Sequence, residues 1–88
     1  MDVCDPKPDY KSNPSKVIFD FIFEGEKHTA HAYGSALDSL GGAMGLQKDR
    51  CLTVYSQHWE LLHQIAAEKI ASGVKVVEIK KHDLPDRG

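Results

Sequence analysis

The stretch from Asp49 to Gly73 constrains this chain most, because no proline interrupts it and its apolar residues recur at intervals of three and four. Leu52, Val54, Tyr55, His58, Trp59, Leu61, Leu62, Ile65, Ala66 and Ile70 fall on one broad stripe of a helix, and such a stripe has to be buried against another element. Asp49 is a suitable N-cap, Lys69 stands in the last turn, where a cation complements the helix dipole, and Gly73 supplies a left-handed stop. The pattern therefore predicts one continuous helix over 49–73.

The surface for it to cover comes earlier. Val17, Phe19, Phe21 and Phe23 alternate with Ile18, Asp20 and Ile22, which describes a strand with one strongly apolar and one mixed face. Glu24-Gly25 reads as a two-residue turn and Glu26–Ala32 as the returning strand. Burial selects the register: pairing Phe23 with Glu26 sets Phe21 opposite His28, Phe19 opposite Ala30 and Val17 opposite Ala32. A slip of one residue would bring Lys27, Thr29 and His31 against the phenylalanines. The turn in this register asks Glu24 to adopt a positive φ.

Ser35 and Asp38 resemble a capping box that opens a short helix carrying Ala36, Leu37 and Leu40, and Gly41, Gly42 and Gly45 end it. Val74–Lys81 is rich in Val and Ile and reads as a third strand, its alternation broken at Val76-Val77. Residues 1–15, with Pro6, Pro8 and Pro14 among polar neighbours, read as a disordered tail, and 16–85 as one domain. The expected architecture is α+β in two layers: a three-stranded sheet with two helices on one face, in the order β-β-α-α-β. The first strand is taken as central, with the third beside it.

Val17 and Phe19, Gly25, Ala36-Leu37 with Leu40, His58, Ile65-Ala66, Ile70, Gly73, Ile79 and Asp83-Leu84 together make the chain similar to a family of short bacterial proteins, domain of unknown function fourteen-eighty-eight. The resemblance spans most of Val17 to Leu84 and implies the α+β fold. That family has no assigned chemistry to carry over, and the polar tail and Gly41-Gly42 depart from its pattern.

A net charge of −2, from 11 Lys and Arg interspersed among 13 Asp and Glu, offers no single-sign field for a polyanion, so nucleic acid is not an expected partner. No run approaches the ~20 apolar residues of a membrane span, and no leader-like segment opens the sequence. With Cys4 and Cys51 expected to stay reduced, the reading is a cytoplasmic protein. No local pair of His or Cys has ligand spacing. His28 and His31 point to opposite faces of a strand, and His58 and His63 stand about 140° apart around a helix, so neither a metal nor another cofactor is expected.

Two function classes remain. The first is a non-catalytic interaction or regulatory module, homodimeric through the sheet's face or edge, with Ile18 and Ile22 on the face that the helices leave open. The second is a small enzyme or ligand-binding protein using Cys51, whose thiol a helix N-terminus would acidify, and His58. The bland alternatives are a small buried cysteine and a half-buried, hydrogen-bonded histidine.

Overall fold

Alternation along residues 16–33 builds the centre of the molecule, and every other element is placed by what that hairpin leaves to cover. The computed structural model describes residues 2–85. The chain runs through β1 (Asp9–Lys11), β2 (Lys16–Phe23), β3 (Glu26–Tyr33), α1 (Gly34–Gly41), α2 (Lys48–Gln57), α3 (Trp59–Ala71) and β4 (Val77–Ile79), and a short 3-10 turn over Lys81–Asp83 follows.

The hairpin has the register that burial requires, with Phe19 opposite Ala30, Phe21 opposite His28 and Phe23 opposite Glu26. Its turn places Glu24 at φ 53° and Gly25 at φ 79°, the two left-handed residues of a type I′ connection. Val17, Phe19, Phe21, Ala30 and Ala32 point to the helices and are fully buried. Against them pack Ala36 and Leu37 of α1, Cys51, Val54 and Tyr55 of α2, and Leu62, Ile65 and Ala66 of α3, with Val77 and Ile79 extending the apolar row across β4. Where α1 ends, Gly41 lets Leu46 and Val54 pack close: a Cβ there would lie 2.9 Å from Leu46 Cδ1 and 3.0 Å from Val54 Cγ2, and these side chains would have to shift.

The class is α+β, but among the described residues the sheet has four strands and three helices cover it, which corrects the expected three strands and two helices. The 49–73 helix is two helices: His58 takes φ −121° and ψ 21°, and its N–H bonds to the carbonyls of Val54 and Tyr55 to close α2. A straight rod over that span would run about 37 Å at about 1.5 Å per residue. The longest extent of the molecule is 34 Å. Breaking the rod at the polar Ser56-Gln57-His58 segment lets both halves of the stripe lie on the sheet. Gln47, not Asp49, occupies the N-cap position, while Gly73 does take the left-handed conformation, φ 96°.

Strand order is β1-β2-β3-β4, so the C-terminal strand lies beside β3 and not beside β2. It is parallel to β3, with Ala30, His31 and Ala32 opposite Val77, Glu78 and Ile79. The edge of β2 where it was expected is taken by β1, from the segment read as a tail: Asp9, Tyr10 and Lys11 pair with Ile18, Val17 and Lys16. Ser35 does not cap α1. Its hydroxyl accepts from Lys81 N–H, and Asp38 accepts from the N–H groups of Gly45 and Leu46.

Candidate functional site

All three helices pack on one side of the sheet, which leaves the other as an open face built from alternate residues of each strand. β2 contributes Lys16, Ile18, Asp20 and Ile22, β3 contributes Lys27, Thr29, His31 and Tyr33, and β4 contributes Glu78. Ile18 and Ile22 are half-buried among these polar neighbours, and Val76, just before β4, is 68% exposed.

The polar groups are tied across the strands. Tyr33 donates its hydroxyl to Glu78 at 2.6 Å, and the Lys16 and Lys80 ammonium groups both stand 5.5 Å from its ring centre. Thr29 donates to Asp20 at 2.8 Å, and Lys27 lies 3.4 Å from the same carboxylate. The Tyr33 bond holds the Glu78 carboxyl below its usual range and raises the Tyr33 phenol. His31 is held below its ordinary value by burial and then by Lys16, against the pull of Glu78.

Cys51 and His58 are not joined by any hydrogen bond among the described residues. Cys51 is 1% exposed, and its Sγ donates to the Leu46 carbonyl at 3.4 Å. Burial, followed by the Asp38 charge, pushes its thiol up. His58 sits half-buried at the junction of α2 and α3.

A second polar constellation, which the sequence reading does not single out, lies inside the core. His63 of α3 is 2% exposed, with its ring parallel to Phe19 at 4.8 Å and edge-on to Trp59 at 5.2 Å. Its Nδ1 lies 2.8 Å from Asp2 Oδ2, and its Nε2 lies 2.7 Å from the hydroxyl of the buried Tyr55. The Tyr55 oxygen also accepts the N–H of Asp5 at 2.9 Å. A carboxylate only accepts, so Nδ1 carries the proton, and Nε2 of a neutral ring then accepts from the Tyr55 O–H. Burial raises the Tyr55 phenol far above its ordinary value, which keeps it a donor.

The two aspartates also reach the sheet. Asp2 Oδ1 accepts the N–H of Ile22 at 3.0 Å, and Asp5 Oδ2 accepts the N–H of Asp20 at 2.9 Å. The chain before β1 thus runs along β2 as an arm held by carboxylates. One sequence signal pointed to it: His63 is four residues after Trp59 and three before Ala66, on the buried stripe, where a polar ring requires partners.

Among the described residues no group of three His, Cys, Asp or Glu is placed to hold a metal ion, and no helix is long and apolar enough to cross a membrane. Comparison of the chain with protein-family models, with curated proteins and with solved structures finds no match.

Proposed function

We propose that the protein is a non-catalytic interaction module of the cytosol that binds through its open sheet face, with a second copy of itself as the partner. The observation that carries this reading is the one-sided covering of the sheet, which leaves Ile18 and Ile22 without a third layer inside a ring of charges. The ring alternates in sign, Lys16, Lys27 and Lys80 against Asp20 and Glu78, and a patch of mixed sign meets its own copy about a two-fold axis without net repulsion. The cross-strand ties fix these side chains before any partner arrives, which lowers the ordering cost of association.

The enzyme reading has less to support it: the one thiol at a helix start is buried, bonded and raised in pKa. Membership of the domain family named above belongs to the same proposal. Its support is that Val17, Phe19, Ala36, Leu37, Ala66 and Ile79 all lie in the core.

Light scattering over a concentration series tests the reading. The mass should rise toward that of a dimer, and Ile18→Lys with Ile22→Lys should lower it while the circular dichroism spectrum is unchanged. A monomeric mass for the unmodified chain up to about 1 mM, the weak end of specific association, overturns it.

A further inference from the structure

The polar groups that hold the arm form a receptor in their own right. His63 Nδ1–H and Ile22 N–H converge on the two oxygens of the Asp2 carboxylate, Asp20 N–H meets the Asp5 carboxylate, and Tyr55 Oη takes the Asp5 main-chain N–H. Three donors and one acceptor, supplied by β2, α2 and α3, thus read two aspartates three positions apart and the backbone direction between them. His63 and Tyr55 are fixed whatever occupies the groove, because Phe19 stacks on both rings, at 4.8 and 4.9 Å.

The arm itself adds little apolar burial. Val3 is 60% exposed, Pro6 and Lys7 are exposed, and of the residues ahead of the 12–15 connection only Cys4 and Tyr10 are partly packed against the core. Polar bonds of this kind re-form with equal geometry on any chain that presents the same groups.

We infer that this groove on the free side of β2 is a binding site for an acidic strand of Asp-x-x-Asp spacing, filled here by residues 2–5 of the same chain and open to the same segment of a second copy. Exchange is a strand swap: every bond made within one copy is made between two, and the connection over 12–15 is the hinge. That hinge carries the left-handed Asn13, φ 59°, a conformation an opened connection does not have to keep. The site is distinct from the open face proposed above, because its bonds run to main-chain N–H groups and helix side chains, not to Ile18.

The test uses the full chain carrying Asp2→Ala and Asp5→Ala, which removes both side-chain acceptors from the arm and leaves the receptor, and a synthetic peptide of residues 2–11 with Cys4→Ser as the probe. Titration should shift the amide resonances of Asp20 and Ile22 saturably. A peptide with both aspartates replaced by Asn should bind at least about tenfold more weakly, because charge-assisted bonds are roughly twice as strong as neutral ones. Equal binding of the two peptides, or none to a folded variant, overturns the receptor.

A second measurement needs no variant. A mixture of isotope-labelled and unlabelled unmodified chains at about 1 mM should give intermolecular contacts between Cys4 of one copy and Tyr55 of the other. Their absence overturns the exchange. Ile18→Lys should leave these contacts in place while it abolishes a face-to-face dimer, so the two proposals fail separately.

Discussion

Replacing Tyr55 with Phe tests whether the buried chain of hydrogen bonds holds the arm to the domain. The substitution keeps the ring stacked on Phe19 at 4.9 Å and removes one oxygen, so apolar packing is preserved and the loss is polar. Two groups lose their partner. His63 Nε2, in a residue 2% exposed, becomes a buried acceptor without a donor, and the half-buried Asp5 N–H loses its acceptor. A buried group left unpaired costs about 1–3 kcal/mol, and the Asp5 N–H, which solvent can reach, costs toward the low end. The sum is about 2–4 kcal/mol. An 88-residue chain unfolds with about 4–13 kcal/mol, so the variant should remain folded but lose a third or so of its stability. At about 4–8 °C per kcal/mol for a domain of this size, Tm should fall by roughly 8–32 °C. Urea unfolding followed by Trp59 fluorescence measures the change. In an Asp2→Ala background the same substitution should cost less by about 0.5–3 kcal/mol, because the freed arm lets water reach the orphaned groups. A loss below about 0.5 kcal/mol, or strict additivity with Asp2→Ala, would refute the account of a coupled chain.

Three further outcomes follow from the geometry. Cys51 in the native protein should react with iodoacetamide at pH 8 far more slowly than after unfolding, since it is buried, bonded to Leu46 O and raised in pKa; equal rates would place the thiol at the surface. Glu24→Asn should raise the urea midpoint by the equivalent of about 1 kcal/mol with an unchanged slope, because Asn tolerates the positive φ that Glu24, φ 53°, has to adopt; a lower midpoint would deny that the turn is strained. Asp83 accepts from Lys80 N–H and from the Lys69 ammonium at 3.0 Å, and although burial alone would raise its carboxyl, these partners lower it. The unfolded chain therefore binds this proton first, so Asp83 stabilises the fold fully above the unfolded value near about 3.9 and loses that contribution as pH falls through the lower folded value. Asp83→Asn should be less stable than the unmodified chain at pH 6, with the gap closing as the pH falls through the lowered folded value; a gap independent of pH would assign the effect to shape instead of charge.

The hairpin was legible residue by residue because both signals that specify it are local: alternation sets the faces, and burying Phe19 and Phe21 sets the register. The long helix was legible in its stripe but not in its break. Periodicity of three and four runs through His58 unchanged, and only the 34 Å extent of the finished molecule makes the rod too long to stay straight. The place of β4 depends on which edge of the hairpin is free, and that is decided by Asp9–Lys11, whose three residues are too short a run for alternation to mark as a strand. The open face was legible in Ile18 and Ile22, whereas the receptor was not: its Asp2 and His63 stand 61 positions apart and meet only once the arm and α3 are both packed against the hairpin.

The composition of the arm explains why carboxylates, and not a longer β1, cover the rest of β2. Lys7 N–H, the next donor after Asp9 on the side that faces β2, bonds to Asp5 Oδ1, so the ladder does not run on past β1 toward residue 2. The N–H groups of Asp20 and Ile22 would otherwise face outward as a template for any passing strand. Side-chain oxygens at positions 2 and 5 occupy both, which closes the edge without a ladder and ties the closure to His63 and Tyr55 in the core. An edge closed in this way reopens when a carboxylate is lost or matched by another, whereas a laddered edge would require the whole strand to unzip. The local bond that removes the arm from the sheet's backbone pairing therefore leaves it a polar, exchangeable attachment, and the two aspartates are where that attachment can be cut.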